Sequence, residues 1–301
     1  MGATASSDEI VFLDFEGGVR NDVWDFFALF LRRGLPARGL RLCRAYTARQ
    51  RTRLVRDLPE MAHAGLAGDK VVAVTYDKDN NVDAVDISPC ATVELAVEAA
   101  LSKPHSNTHL ISWGMNFFDA KALKNCNITP TDSRSLVCGL KFFKQHYVLP
   151  KNTMASRAPG TPRAVFNVPQ AGSPHGARAD TLHLKGVVER AAYALEIAKG
   201  QPVEFDHDWN AVAADAYFDA VLARVCHAKP QAALPKDFVP AMWGSMYFDV
   251  NGRLLKASSK AFKRHLSEHL KARGKLDKKL QCRINSTKLA SSFQRLLKEC
   301  T

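Results

Sequence analysis

Five residues in three short motifs have the types and the order that a two-metal phosphodiester-cleaving site requires. They are four acids, Asp14, Glu16, Asp119 and Asp180, and one histidine, His175. Two metal ions about 3.5–4 Å apart stabilise the attacking and leaving oxygens of an in-line displacement, and hard ions such as Mg²⁺ prefer carboxylate oxygens. A histidine accepts the proton of the attacking water. The set therefore predicts metal-dependent hydrolysis of a phosphodiester.

The first two acids lie in an apolar run that predicts a buried strand over residues 10–16. Because side chains alternate across a strand, Asp14 and Glu16 should project from one face, while Phe15 points to the other and enters the core. A buried pair of carboxylates is costly unless a cation compensates it. A metal ion is the natural explanation for the pair.

The other motifs precede helices. An apolar strand over 108–113 leads through a turn into a helix that should carry Asp119 in or near its first turn. The third motif precedes a long segment whose apolar residues recur with helical periodicity and which ends at a glycine. This pattern predicts a second helix, with Asp180 near its start and His175 just before it.

Together these motifs resemble the DnaQ-like 3′→5′ exonuclease superfamily in its DEDDh branch. The matching motifs are Asp-x-Glu at Asp14 and Glu16, Phe-Asp-x-x-x-Leu at Phe118, Asp119 and Leu123, and His-x-Ala-x-x-Asp at His175, Ala177 and Asp180. The resemblance covers residues 8–200. It implies a ribonuclease-H-like fold, two Mg²⁺ or Mn²⁺ ions held by the four acids, and a general base at His175. The implied activity releases nucleoside monophosphates from the 3′ end of DNA or RNA. The expected substrate is single-stranded.

The resemblance also suggests contacts with the terminal nucleotide. Gly17, the backbone of Phe15, and Asn116 are the candidates, although Asn116 lies three residues before Asp119 where family members often place an Asn four before it. Trp113 and the Phe117-Phe118 pair either stack on bases or belong to the core.

The order of apolar runs predicts a mixed α/β sheet flanked by helices. Three consecutive strands with short connections suggest an antiparallel meander, and a polar turn at residues 77–81 suggests a hairpin. The predicted strands are 10–16, 23–31, 39–46, 70–76, 82–88 and 108–113, and the predicted helices are 47–66, 92–102, 182–199 and 208–228.

The positive charge is concentrated at one end of the chain. The net charge is +12, and residues 251–301 hold fourteen Lys and Arg against three acids. We therefore predict an exonuclease domain over 1–200 and a basic, mainly helical appendage over 201–301 that contacts nucleic acid. The alternative is a solvated basic surface that keeps the protein soluble.

Several features exclude other classes. No run of eighteen apolar residues predicts a membrane span, and no phosphate-cradling glycine-rich loop suggests an NTPase. Seven scattered cysteines without a Cys-x-x-Cys pair suit an intracellular protein of the cytoplasm or nucleus.

Some local patterns leave alternatives open. His265 and His269 have a spacing that zinc accepts, but their helix is strongly cationic, and exposed helical histidines near phosphate are the favoured explanation. The Asp206-His207-Asp208 triplet is either a metal cluster or a helix cap. The Pro- and Gly-rich segment 150–174 is either a lid that completes the site or a disordered insertion.

The motifs also leave two other functions open. One is a nucleic-acid-binding protein that keeps the exonuclease fold with little catalysis. The other is an endonuclease of the same fold class, which would cut circular single strands.

Overall fold

The computed structural model describes a large part of the chain. The described residues are 8–17, 22–58, 70–102, 107–115, 118–146, 163, 166–171, 176–198, 207–227, 263–264, 267, 270–271, 274 and 276–287. The predictions made for His175, Asn116, His265, His269 and Asp206 lie outside these residues, as does most of the segment 150–174.

A seven-stranded sheet forms the centre of the fold. Its strands are β1 (Asp8–Gly17), β2 (Val23–Arg32), β3 (Arg38–Cys43), β4 (Val72–Tyr76), β5 (Val82–Ile87), β6 (Asn107–Ser112) and β7 (Arg134–Cys138). They lie in the order β5-β4-β3-β2-β1-β6-β7. Strands β1 to β5 are antiparallel, which confirms the predicted meander of the first three strands and the predicted hairpin of β4 and β5. Strand β6 runs parallel to β1, and β7 runs parallel to β6. The sheet is therefore mixed.

The described residues also form seven α-helices, and those of the first part of the chain flank this sheet. The helices are α1 (Ala48–Asp57), α2 (Val93–Leu101), α3 (Phe118–Asn125), α4 (Gly139–His146), α5 (Ala177–Ala198), α6 (Ala214–Val221) and α7 (Lys278–Ser286). Three of them start at side-chain caps, because Thr47, Thr92 and Asp277 each accept a hydrogen bond from a backbone N–H of the first turn. The α/β class with a mixed, helix-flanked sheet is thus confirmed.

The prediction of one helix over 208–228 is confirmed for residues 214–226 but is wrong at the start of the span. A 3₁₀ turn, Trp209–Ala211, precedes α6, and a π-helical turn, Leu222–Cys226, follows it. Asp208 accepts a hydrogen bond from the N–H of Asn210 and so closes a separate turn. Sequence analysis also did not predict β7, a five-residue strand.

The core is centred on β1 and β2, whose apolar side chains are almost completely buried. The largest polar exception is Arg41 on β3, which donates two hydrogen bonds of 2.8 and 2.7 Å to the carboxylate of Asp25 on β2. Both side chains are buried. A buried charge is tolerated when it is paired in this bidentate way.

The chain divides into two compact units. The first comprises Met1–Gly139, Pro169–Glu196 and Asp208–Lys229, and the second comprises Leu140–Val168, Ile197–His207 and Pro230–Thr301. The predicted division at residue 200 stays a prediction. The four acids of the sequence motifs belong to the first unit. None of the helices in the described ranges combines the length and the apolar composition that a bilayer span requires.

Candidate metal centre

Three carboxylates from two distant parts of the chain meet at one end of β1. One carboxylate oxygen each of Asp14, Glu16 and Asp180 lies within 4.8 Å of the others. All three side chains are half-buried, so the cluster is open to solvent on one side. Oxygens this close together are spaced as ligands of a single cation are.

Strand β1 positions the first two acids. Asp14 and Glu16 lie two residues apart and therefore on one face of the strand, while the buried Phe15 packs on the other face against Phe26, with 4.7 Å between ring centroids. The predicted orientation of these three side chains is confirmed. The pairing of β1 with β2 becomes irregular between Glu16 and Gly17, and such bulges often occur next to functional sites, where they redirect a side chain.

The start of α5 brings Asp180 to the strand. Arg178 anchors this first turn, since its guanidinium donates a 2.8 Å hydrogen bond to the carbonyl of Asn80 and lies 4.8 Å from the ring centroid of Tyr76. Asn80 has a left-handed backbone with φ of 64° in the hairpin between β4 and β5. The hairpin turn and the helix start therefore hold each other in place.

A buried histidine one turn further along α5 faces Asp180. The Nε2 atom of His183 accepts a 2.8 Å hydrogen bond from the N–H of Ala171, so a neutral His183 carries its proton on Nδ1. That Nδ1 atom lies 4.0 Å from Oδ1 of Asp180. The imidazole thus turns a donor toward the carboxylate.

Asp119, in the first turn of α3, lies beside this cluster and is buried. Burial raises the pKa of its carboxyl to about 6, although the Ser112 hydroxyl and the backbone N–H groups of Phe15 and Gly114 act as donors that lower it. The Ser112 interaction is weak, because that hydroxyl lies outside ordinary hydrogen-bond geometry. Phe12 is the last residue of β1 that pairs with β6, and Phe15 lies in the part of β1 beyond it.

Gly17 allows α3 to approach β1 closely. A Cβ atom at Gly17 would lie 2.2 Å from Cζ of Phe118, the residue before Asp119. The ring of Phe118 therefore occupies the space beside Gly17. The predicted contact of Gly17 with a nucleotide stays a prediction, whereas its contact with the helix that carries Asp119 is direct.

The concentration of acids perturbs their ionisation. Burial, together with the charges of Asp119, Glu16 and Asp180, raises the pKa of Asp14 well above its usual value. Burial also raises the pKa of Glu16 to about 8, against the opposing effect of Arg53. Carboxyls that are hard to ionise alone become good ligands when a cation supplies the missing positive charge.

Among the described residues, one basic side chain lowers the pKa of an acid in this cluster. Arg53 of α1 acts on Glu16, and its guanidinium also lies 5.4 Å from the ring centroid of Trp24. Arg41 is already paired with Asp25, the residue opposite Glu16 on β2. The neighbouring acid thus has a cationic partner within the fold, although its charge still raises the pKa of Glu16. The donor set of the cluster, carboxylate oxygens only, fits Mg²⁺ or Mn²⁺.

The sequence motifs point to the four acids but not to the residues that support them. The structure places Asp14, Glu16 and Asp180 together with Asp119 beside them, while His175 and Asn116 lie outside the described residues. Arg53, Arg178 and His183 were not predicted. Arg178 lies inside the third motif, two residues before Asp180, and this position was the available signal.

Comparison with known proteins adds no further assignment to this site. No protein-family model matches the chain, and no curated protein shows significant similarity to it.

Proposed function

We propose that the chain is a metal-dependent 3′→5′ exonuclease of the DEDDh type. The observation that carries this proposal is the convergence of Asp14, Glu16 and Asp180 within 4.8 Å, with the buried Asp119 beside them. Four acids from three separate motifs, in the order that the resemblance requires, meet at one strand end. The order of the seven strands, with its meander and two added parallel strands, is compatible with a ribonuclease-H-like fold.

In this proposal Asp14, Glu16, Asp119 and Asp180 hold two Mg²⁺ or Mn²⁺ ions, some of them through water. When bound, these ions activate the attacking water and stabilise the charge on the leaving 3′ oxygen. The residues of the chain orient the ligands. The donors around Asp119 fix its carboxylate, His183 turns Nδ1 toward Asp180, and His175 accepts the proton of the water.

The charges near the cluster suit a phosphate-bearing substrate. The positive charge of Arg53 acts on Glu16 and lowers its pKa. Arg53 lies on a helix with three further arginines, Arg49, Arg51 and Arg56. A positively charged helix beside the ligands favours a polyanion over a neutral substrate.

A nuclease assay on the purified full chain tests the proposal. The substrates are 5′-labelled single-stranded DNA and RNA of equal sequence, with Mg²⁺, Mn²⁺ or EDTA. We expect a metal-dependent ladder that shortens from the 3′ end, and a loss of at least about 100-fold in Asp14→Asn. Glu98→Gln removes a carboxylate outside the cluster and is the matched control, which should stay active.

The possible outcomes separate the competing functions. Cleavage of circular single strands would replace the exonuclease with an endonuclease. Intact substrate in every metal, together with salt-sensitive binding, would leave a nucleic-acid-binding protein on this fold. Activity that survives Asp14→Asn would mean that the carboxylate cluster is not the catalytic centre.

A further inference from the structure

A second group of potential metal ligands lies near the opposite end of β1. It consists of Asp8 at the start of β1, His109 in β6 and His227 after the π-helical turn. One ligand atom from each side chain lies within 4.8 Å of the other two. Unlike the carboxylate cluster, this group offers two imidazoles and one carboxylate.

The sheet register brings Asp8 and His109 together. Strands β1 and β6 are parallel, with Asp8 opposite Asn107 and Ile10 opposite His109. Asp8 and His109 are therefore diagonal neighbours on the same face. The carboxylate oxygen Oδ1 of Asp8 lies 3.8 Å from Nε2 of His109, too far for a direct hydrogen bond and a spacing that two ligands of one metal ion adopt.

His109 is oriented as a metal-binding histidine is. Its Nδ1 atom lies 2.7 Å from the hydroxyl of Ser135, its direct neighbour on β7. If Nδ1–H donates to this hydroxyl, then Nε2 carries a lone pair that points to Asp8 and His227. Metal-ligating histidines usually have the second ring nitrogen held in this way.

The Nε2 atom of His109 lacks a hydrogen-bond partner. The side chain is more than nine-tenths buried, and within the part of the chain that the structure describes Nε2 makes no hydrogen bond. A buried polar atom without a partner costs about 1–3 kcal/mol. A bound metal ion removes this cost, because it takes the lone pair that no donor among the described residues reaches.

An unusual helix end supplies the third ligand. The N–H of His227 donates a 2.9 Å hydrogen bond to the carbonyl of Leu222, five residues earlier, and closes the π-helical turn. Such turns occur disproportionately at functional sites. His227 is exposed, and its ring meets that of His109 edge to face at 5.1 Å between centroids. The exposed side leaves room for a water ligand.

We propose that Asp8, His109 and His227 bind a zinc-class transition-metal ion. Two imidazole nitrogens and one carboxylate oxygen form a ligand set typical of Zn²⁺ with an open fourth position, and they suit Mg²⁺ poorly. Asp8 and Asp14 are six residues apart on β1, which places the two sites roughly 20 Å apart at the rise of a strand. The zinc site therefore does not depend on the proposed nuclease activity.

Metal binding to the full chain tests this inference. The protein is first dialysed against EDTA and then titrated with Zn²⁺ by calorimetry and with Co²⁺ by visible absorption. Because the carboxylate cluster is proposed to bind divalent ions as well, the titrations are repeated in Glu16→Gln. We expect a zinc site whose Co²⁺ complex shows the d–d absorption bands of a low-symmetry ion, and this site and its bands should be retained in Glu16→Gln.

Two substitutions at the exposed ligand distinguish a metal site from a ring contact. His227→Ala should weaken zinc binding by at least about tenfold. His227→Phe keeps an aromatic ring beside His109 but offers no ligand, and should weaken zinc binding equally. Retained binding in both variants would overturn the inference, as would a wild-type protein whose only divalent site disappears in Glu16→Gln.

Discussion

Replacing Glu16 with glutamine should stabilise the metal-free protein at alkaline pH. The pKa of Glu16 rises from 4.5 to about 8, first because of burial and then because of Asp25 and Asp180. At a pH between these two pKa values, the Glu16 carboxyl holds a proton in the folded protein that it has lost in the unfolded chain. The stability that this carboxyl contributes is therefore complete below about pH 4.5 and is lost as the pH rises through 8.

The structure sets the size of the effect. A pKa of about 8 in place of 4.5 corresponds to about 5 kcal/mol once the pH exceeds both values. We expect the substitution to recover only about 1–3 kcal/mol of this free energy at pH 8.5, because it also removes the acidic neighbour of Arg53. At pH 5 the wild-type and Glu16→Gln proteins should differ by less than about 1 kcal/mol, because the wild-type carboxyl is already protonated there.

Urea unfolding in EDTA at several values between pH 5 and 8.5 measures this difference. Adding Mg²⁺ at pH 8.5 should stabilise the wild type and reverse the ranking, since the ion binds the folded state and needs the ionised carboxylate. Glu98→Gln controls for the loss of one negative charge. A Glu16→Gln variant that is less stable than the wild type at pH 8.5 in EDTA would refute the reasoning.

Three further predictions follow from the packing around the cluster and from the charge of the chain. Gly17→Ala forces the Phe118 ring away by more than 1 Å, so it should cost about 1–3 kcal/mol of unfolding free energy and weaken Mg²⁺ binding. Unchanged Mg²⁺ binding would show that this glycine does not support the metal site. Asp25→Asn leaves Arg41 buried without its carboxylate and should cost about 3–5 kcal/mol in urea unfolding; a loss below about 1 kcal/mol would contradict the pairing. Binding of a labelled single-stranded oligonucleotide should weaken at least about tenfold between 50 and 200 mM salt, measured by anisotropy in EDTA, and salt-independent binding would argue against phosphate contacts.

The sequence was informative where one physical signal dominated. The apolar runs of β1 and β2 predicted their strands closely, because both strands lie in the core and need apolar residues on both faces. The alternation around Phe15 correctly predicted which acids share a face. Asp119 and Asp180 were placed at helix starts, where the structure has them.

Other features depend on contacts between distant residues, which local patterns do not encode. The position of His183 follows from a hydrogen bond with Ala171, in a Pro- and Gly-rich segment that shows no periodicity. The break in the helix predicted over 208–228 depends on Asp208, which competes with a continuous helix by closing its own turn. The meeting of Asp8 with His227 spans most of the chain and requires the sheet order to be known.

The residues of the carboxylate cluster are all present only late in synthesis of the chain. Asp14 emerges near the beginning of translation and Asp180 follows 166 positions later. Each strand of the meander β1 to β5 pairs with strands adjacent to it in sequence, so the meander can form from the first ninety residues. It can therefore be complete before α5, whose Asp180 repels the acids of β1, is synthesised. In the proposed metal-bound state, a cation between β1 and α5 would act as a cross-link across a long loop of chain, in addition to the Arg178 contacts that already hold the first turn of α5 to the hairpin between β4 and β5.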